Sequence, residues 1–241
     1  DKGFVMNHNE CQQYIDPVSN RLRKLTEANR SLAEIESLDE LLLRLMGLAK
    51  EVTAAEASLI FLYDLKNRLL EIASIKDDRF GDKAEKLFKG TVKLKIGEGI
   101  AGLVAKNRKS IMVEDAQKDP RFSKKADKER NFTTRSLLCV PLVYQEELLG
   151  VLCALNATGK PFFDNEDLAV LESFADLAAV AIIRSRLLEQ RIEQERFGAE
   201  MQAAAKIQQL FWPQIPELGA GSHAWAFTEP AASVGGVIKQ I

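Results

Sequence analysis

Apolar residues along this chain recur at helical spacing near both ends and at strand spacing between them. After Asp16-Pro17, which reads as a helix start, Val18, Leu22, Leu25 and Leu32 follow in alternating steps of four and three, with Asn29 interrupting. That alternation is a heptad seam, in which a buried Asn fixes register and favours a parallel pair of helices. The same pattern also suits one amphipathic helix folded back on its own domain. A second helix begins at Ser37-Leu38-Asp39-Glu40 and continues through a strongly apolar run to Ala49, so it is expected to bury against a sheet.

Residues 57–63 and 69–75 alternate as strands around the turn-like Asp64-Leu65-Lys66-Asn67 and predict a hairpin. Residues 76–89 are charged and predict a solvated connection with a short helix. A short strand at 92–96 then enters Gly97-Glu98-Gly99-Ile100-Ala101-Gly102. GK[ST] is absent, and although Gly97, Gly99 and Gly102 have G-x-G-x-x-G spacing they are not read as the fingerprint of a dinucleotide-binding strand-turn-helix unit, so these glycines read as a sharp turn into a close-packed helix rather than a phosphate loop. Another short strand is expected at 109–114, followed by the turn Asp119-Pro120-Arg121-Phe122 with an aromatic anchor.

The strongest strands are 136–144 and 148–156, apolar on both alternating faces and therefore central in a sheet covered on both sides. Pairing them about Glu146 sets Cys139 opposite Cys153, expected as two buried thiols. From Phe163-Asp164-Asn165-Glu166-Asp167 a helix of nearly fifty residues can run with no proline until Pro213. Its first part, to Ile183, has a broad apolar face. The stretch 184–200 carries four Arg and four Glu around Leu187, Leu188 and Ile192, the composition of a connector leaving a domain.

Composition narrows the possibilities. With 241 residues, 46% hydrophobic and 28% charged, the chain can hold one large domain or one ordinary domain with long appendages. Lys plus Arg is 33 against 35 acidic residues, a net charge of -2, so neither nucleic acid nor an anionic membrane is an expected partner. The longest apolar stretch, 174–183, is broken by Asp176 and is far shorter than the ~18–20 residues a bilayer span needs. The sequence opens at Asp1 without a charged-then-apolar run, which gives no hint of export, and Cys11, Cys139 and Cys153 share no CxxC spacing. A cytoplasmic location is expected. The two histidines, His8 and His223, lie near the ends, which argues against a His-ligated haem, a Cys/His zinc site and a Ser-His-Asp or Cys-His engine in the globular middle.

Residues 37 to 187 resemble a GAF domain. The likeness rests on Ile96 to Gly102, Val113-Glu114-Asp115, Asp119-Pro120-Arg121-Phe122, Ser136 to Leu142, Leu149-Gly150-Val151-Leu152, and Phe163 with Asp167 before an alanine-rich helix. It implies an α+β fold: an antiparallel sheet of about six strands, helices packed on one face and a small-molecule pocket on the other, used as a sensory module and often dimeric. Cyclic-nucleotide-binding members carry Asn-Lys, then Phe, three residues and Asp-Glu. Asn156, Phe163 and Asp167 match, but Ala157 and Leu168 replace the lysine and glutamate. Loss of that salt bridge predicts weak or absent cyclic nucleotide binding. A bilin is not expected, because no histidine stands beside an anchoring cysteine. Phe80, Arg121, Phe122, Ser136 and Asn156 are the candidate ligand-binding residues.

A second resemblance begins at Glu200 and includes Pro213, Pro216 and Pro230 to Gly236. It is similar to the opening of bacterial PPM-type serine/threonine phosphatases of the sporulation and stress-response class, in which carboxylates hold two Mn or Mg ions. Val237 stands where that family has its first metal-binding Asp, and Gln240 stands near the second acidic position. The phosphatase part is therefore expected to be truncated, or residues 237–241 to be non-native. Neither metal binding nor catalysis is expected of this polypeptide.

The organisation expected is an N-terminal coiled-coil helix at 1–36, a GAF domain at 37–187, a connector helix at 188–212 and an incomplete phosphatase start at 213–241. The function expected is a dimeric cytoplasmic sensor controlling a PPM-type phosphatase in partner-switching signalling, with a phosphorylated anti-sigma-factor antagonist as substrate. The alternative is a ligand-free structural dimerisation module.

Overall fold

The computed structural model describes residues 19–30, 37–124, 127, 132–210, 227–230 and 236–239. The chain divides into two compact units, Asp1–Arg184 and Ser185–Ile241. His8, Cys11, Val18, Leu32, Pro213, Pro216, His223 and Gln240 lie outside the described residues.

The first unit holds helix α1 (19–30) and α2 (Leu38–Val52), then strands β1 (Ala55–Asp64) and β2 (Leu69–Asp77). A turn of 3-10 helix at Gly81–Lys83 leads to α3 (Ala84–Phe88), β3 (Lys93–Lys95), α4 (Gly99–Asn107) and β4 (Ile111–Val113). Strands β5 (Leu137–Tyr144) and β6 (Glu147–Ala157) precede α5 (Asn165–Leu210). The six strands form one antiparallel sheet in the order β3-β2-β1-β6-β5-β4.

Local chemistry sets the hairpins. Asp64 accepts hydrogen bonds from the Lys66 and Asn67 amides at 2.8 and 3.2 Å, closing β1 onto β2. The β5–β6 link is two residues, Gln145 and Glu146, at φ 46° and 68°. Left-handed values at both positions are what a tight hairpin between right-twisted strands demands. This turn pins the register, and Cys139 pairs with Cys153 as the alternation predicts. Gly150, on the central strand β6, pairs with Leu62, and a Cβ there would stand 2.0 Å from the Phe61 carbonyl oxygen. Only glycine lets β1 and β6 approach so closely.

Alternation gives the sheet two different faces. The Ser58 hydroxyl donates to the Met46 carbonyl of α2 at 3.0 Å, so Ser58 and its even-numbered neighbours on β1 meet that helix. Helix α2 buries Leu41, Leu42, Leu45, Met46, Leu48 and Ala49, each larger side chain contributing roughly 1.5–3 kcal/mol. The first stretch of α5 adds Leu171, Phe174, Ala175, Ala178, Ala179, Ala181 and Ile182 to the same core. Asp164 caps it: its carboxylate accepts from the Glu166 and Asp167 amides at 2.9 and 3.1 Å, while Asp167 accepts from the Asp164 amide at 2.9 Å. This reciprocal pair satisfies donors that the first turn leaves open.

Helix α1 lies against its own domain through Ala28, which is fully buried, and Leu25. Ion pairs Lys24–Glu51, Arg44–Glu27 and Arg21–Glu166 tie it to α2 and the start of α5. Leu22 and Asn29 are left exposed.

In the second unit, α5 is helical to Leu210, with Leu187, Leu188, Ile192, Phe197 and Ile207 exposed. Arg191–Glu195 and Arg196–Glu200 pair along it at 3.0 Å. Strands β7 (Phe227–Pro230) and β8 (Gly236–Lys239) pair antiparallel, which places Glu229 opposite Val237. No described helix is long and apolar enough to cross a membrane.

Candidate ligand cavity

The face of the sheet opposite α2 is covered by α4. The turn from β3 into α4 holds Gly97 and Gly99 at φ 87° and 65°, conformations that side chains resist. At Gly102 a Cβ would meet the Lys95 carbonyl at 2.6 Å, and the Gly97 amide donates to the Gly102 carbonyl at 2.8 Å. The glycines thus seat α4 tightly on the strand it follows.

Between α4 and the sheet lies a cavity lined by Leu59 and Phe61 of β1, Leu94 of β3, Gly99, Ile100 and Ala101 of α4, Leu137 and Cys139 of β5, and Cys153 and Leu155 of β6. Phe122, Ser123 and Thr134 complete it from the loop between β4 and β5. Its volume is about 50 Å³, with one side open to solvent, below the ~300–1,000 Å³ common for small-molecule sites, so without movement of its walls it holds only a small ligand. Among the described residues the cavity lining carries no charged side chain. At one wall the first-turn amides of α4 have no intrahelical acceptors, and the Glu98 side chain accepts from the Lys95 amide at 2.9 Å instead of capping them. The arrangement suits an apolar body carrying an acceptor or anionic atom toward α4.

The loop is braced by carboxylates. Asp119 accepts from the Arg121 amide at 2.8 Å and from its guanidinium at 2.6 Å, and this hydrogen bonding holds the Asp119 carboxyl below its ordinary range. The Phe122 amide donates to the Asp119 carbonyl at 3.0 Å. Farther on, buried Asp127 accepts from the Thr134 amide at 2.9 Å, the Thr134 hydroxyl at 2.6 Å and Gln117 at 3.2 Å. Phe122 and Thr134 are positioned by these bonds.

Of the five candidate residues, Phe122 lines the cavity. The other four are not among its lining residues. The Arg121 guanidinium is engaged by Asp119. Phe80 packs edge-to-face on Phe88 at 5.1 Å beneath the Arg79 guanidinium. The Ser136 hydroxyl accepts from the Ala157 amide at 3.0 Å. Asn156, at φ 57°, accepts from the Arg135 amide at 2.6 Å and donates to Glu56 at 2.8 Å and the Thr133 carbonyl at 2.9 Å. Its amide fastens the end of β6 to the segment before β5.

The predicted loss of a salt bridge at Ala157 is corrected by the structure. Lys160, three residues farther along, pairs with buried Asp167 and with Asp164 at 2.7 Å. Asp167 thus has a lysine partner that the motif's spacing does not mark. The lining residues on β1, β5 and β6 were accessible to parity reasoning: once Cys139 faces Cys153, Leu137 and Leu155 share their face. Both cysteines are buried with free thiols, their Sγ atoms 2.6 Å apart, and burial raises the Cys139 thiol above its ordinary range. Among the described residues no three His, Cys, Asp or Glu side chains gather in a way that could hold a metal ion.

Comparison with known proteins agrees with this architecture. Residues 37–182 match the model of the GAF domain family. A probable 3′,5′-cyclic phosphodiesterase of Caenorhabditis elegans is 25% identical over 177 residues, 71% of this chain and 24% of that protein. The cone cGMP-specific 3′,5′-cyclic phosphodiesterase subunit alpha′ of Mus musculus is 38% identical over 84 residues, 35% of this chain and 10% of that protein. The chain therefore spans only a small part of these relatives. Among solved structures, the GAF domain of a phosphoenolpyruvate-protein phosphotransferase from Coxiella burnetii superposes with a TM-score of 0.61 at 22% identity, over 71% of this chain and 98% of that one. Free methionine-R-sulfoxide reductase from Neisseria meningitidis gives 0.57 at 20% identity, over 70% and 91%. At this identity the superpositions speak for the fold alone. With the six-stranded sheet, the α4-covered cavity and a match over more than half its length, the chain belongs to the GAF domain family.

Proposed function

We propose that this GAF domain is a cytoplasmic, ligand-binding sensor that acts as a dimer and controls a PPM-type serine/threonine phosphatase in the complete protein. The observation that carries the sensing part is the cavity: largely apolar walls, the first-turn amides of α4 without a side-chain cap and, among the described residues, no charged side chain. A modest apolar or aromatic molecule with one acceptor or anionic group fits that chemistry. Native mass spectrometry of freshly purified protein tests it. A retained small molecule supports sensing, whereas a ligand-free protein whose melting temperature no small molecule raises supports the structural dimerisation module.

Two further observations favour a second copy as partner. Leu22 is exposed beside Asn29 on α1, and in the second unit Leu187, Phe197, Met201 and Ala204 fall on one heptad seam with Gln190 and Gln194. Light scattering at micromolar concentration is expected to show a dimer, and the variant Leu22→Glu, which spares Leu25 packed on its own domain, a monomer. Cyclic nucleotides stay weak candidates on the described lining: among those residues their phosphate would meet amides but no cationic side chain. The phosphorylated anti-sigma-factor antagonist and the Mn or Mg ions belong to the phosphatase in this proposal, and dephosphorylation by the complete protein, with and without ligand, tests them.

A further inference from the structure

The two thiols in the cavity wall have a feature that packing does not require. They are direct cross-strand neighbours on β5 and β6, and both line the cavity. Direct antiparallel neighbours have Cα atoms about 4.5–5.5 Å apart, inside the ~4.4–6.8 Å that a disulfide spans. The sulfurs are already 2.6 Å apart. We propose that Cys139 and Cys153 are a reversible dithiol–disulfide site, oxidised by a small hydroperoxide that enters the cavity.

The reaction balances within the site. One thiol, as its thiolate, attacks a peroxide oxygen; the O–O bond breaks, a sulfenic acid forms, and the other oxygen leaves as water or an alcohol. The neighbouring thiol then attacks the sulfenic sulfur, forming the S–S bond and releasing water. The two sulfurs give up two electrons and the hydroperoxide takes them. Burial raises the Cys139 thiol and keeps its thiolate scarce, so the first step is slow. The second is fast, because its partner is held in contact rather than met by diffusion. Sulfenic acid is therefore captured before it oxidises further.

The cavity also selects the oxidant. Its volume is about 50 Å³ and its described lining is largely apolar and uncharged, which admits a small neutral peroxide and excludes a large charged disulfide such as oxidised glutathione. The site does not depend on which ligand the cavity takes.

The test uses the whole chain with Cys11→Ser, which removes the third thiol. It is treated with hydrogen peroxide or oxidised glutathione in parallel, then alkylated, digested and mapped by mass spectrometry. The expected result with peroxide is loss of two hydrogen masses, a linked Cys139–Cys153 peptide, and return of both thiols with dithiothreitol. The expected result with oxidised glutathione is no change. Two results would overturn the proposal: thiols that stay free in folded protein under peroxide yet oxidise after denaturation, or oxidised glutathione working as well as peroxide. Cys153→Ala, checked for folding by circular dichroism, is expected to accumulate sulfinic or sulfonic acid at Cys139; a Cys139 that stays fully reduced in it also counts against the site.

Discussion

Helix α5 is two helices in composition. Up to Ile182 it buries Leu171, Phe174 and four alanines against the core. From Leu187 onward its apolar side chains are exposed, and its local support comes from Arg191–Glu195 and Arg196–Glu200. Each such pair contributes roughly 0.2–0.5 kcal/mol, while burying one Phe contributes several-fold more. The first stretch is held by tertiary packing. Among the described residues the second has only propensity and surface pairs, and isolated helices on those terms are marginal. A partner helix would remove the difference.

The same substitution in the two kinds of environment gives the largest contrast. Gly150→Ala is expected to destabilise by about 4 kcal/mol or more, because its Cβ would overlap the Phe61 carbonyl. Gly198→Ala, with nothing within 4 Å of the added Cβ, is expected to stabilise by about 1 kcal/mol. Urea denaturation of both variants checks the pair, and equal signs would break the comparison.

Phe174→Ala should cost about 3–5 kcal/mol. Phe197→Ala, 59% exposed, should leave the melting temperature of a monomer unchanged and weaken a dimer. Sedimentation with thermal melts separates these outcomes.

Lys160→Met is expected to cost about 3 kcal/mol near neutral pH, since it strands the buried Asp167 carboxylate. Its pH dependence has a definite sign. Asp164 is held below its ordinary range chiefly by the hydrogen bond from Lys160. A carboxyl with a lowered folded pKa stabilises above its unfolded value, about 4, and that contribution fades as pH falls through the folded value. The gap between wild type and variant should therefore narrow below about pH 4 in urea titrations. Smallest of all, Arg191→Ala should cost about 0.3–0.5 kcal/mol, less at high salt.

How much of this was legible in the sequence depends on how local its cause is. The β5–β6 register follows from a two-residue turn and strict alternation, so the Cys139–Cys153 pairing could be read directly. The glycine-rich turn into α4 was legible for the same reason. The cavity was harder, because Leu59, Leu94 and Leu155 become neighbours only when the sheet order is known, and nothing in a strand's own pattern says which apolar face keeps open space. Asn156 matched a ligand-site motif, yet its amide is committed to backbone and Glu56. Lys160 was overlooked because a motif counts positions, whereas an ion pair needs only reach. The phosphatase-like segment falls largely outside the described residues, and its reading still rests on the resemblance.

The outermost strands of the sheet have a bearing on how copies of this molecule meet. β3 and β4 are three residues each, and β3 presents exposed Lys93 and Lys95 around buried Leu94. A long bare strand invites another chain to continue its ladder, the route to aggregates. Here a would-be neighbour finds few open backbone groups and, on one side, the side chains of Lys95 and of Lys93, the latter paired with Glu71. Such an edge resists indefinite growth, so in the proposed dimer association would fall to the helices, where side chains can specify how many copies join.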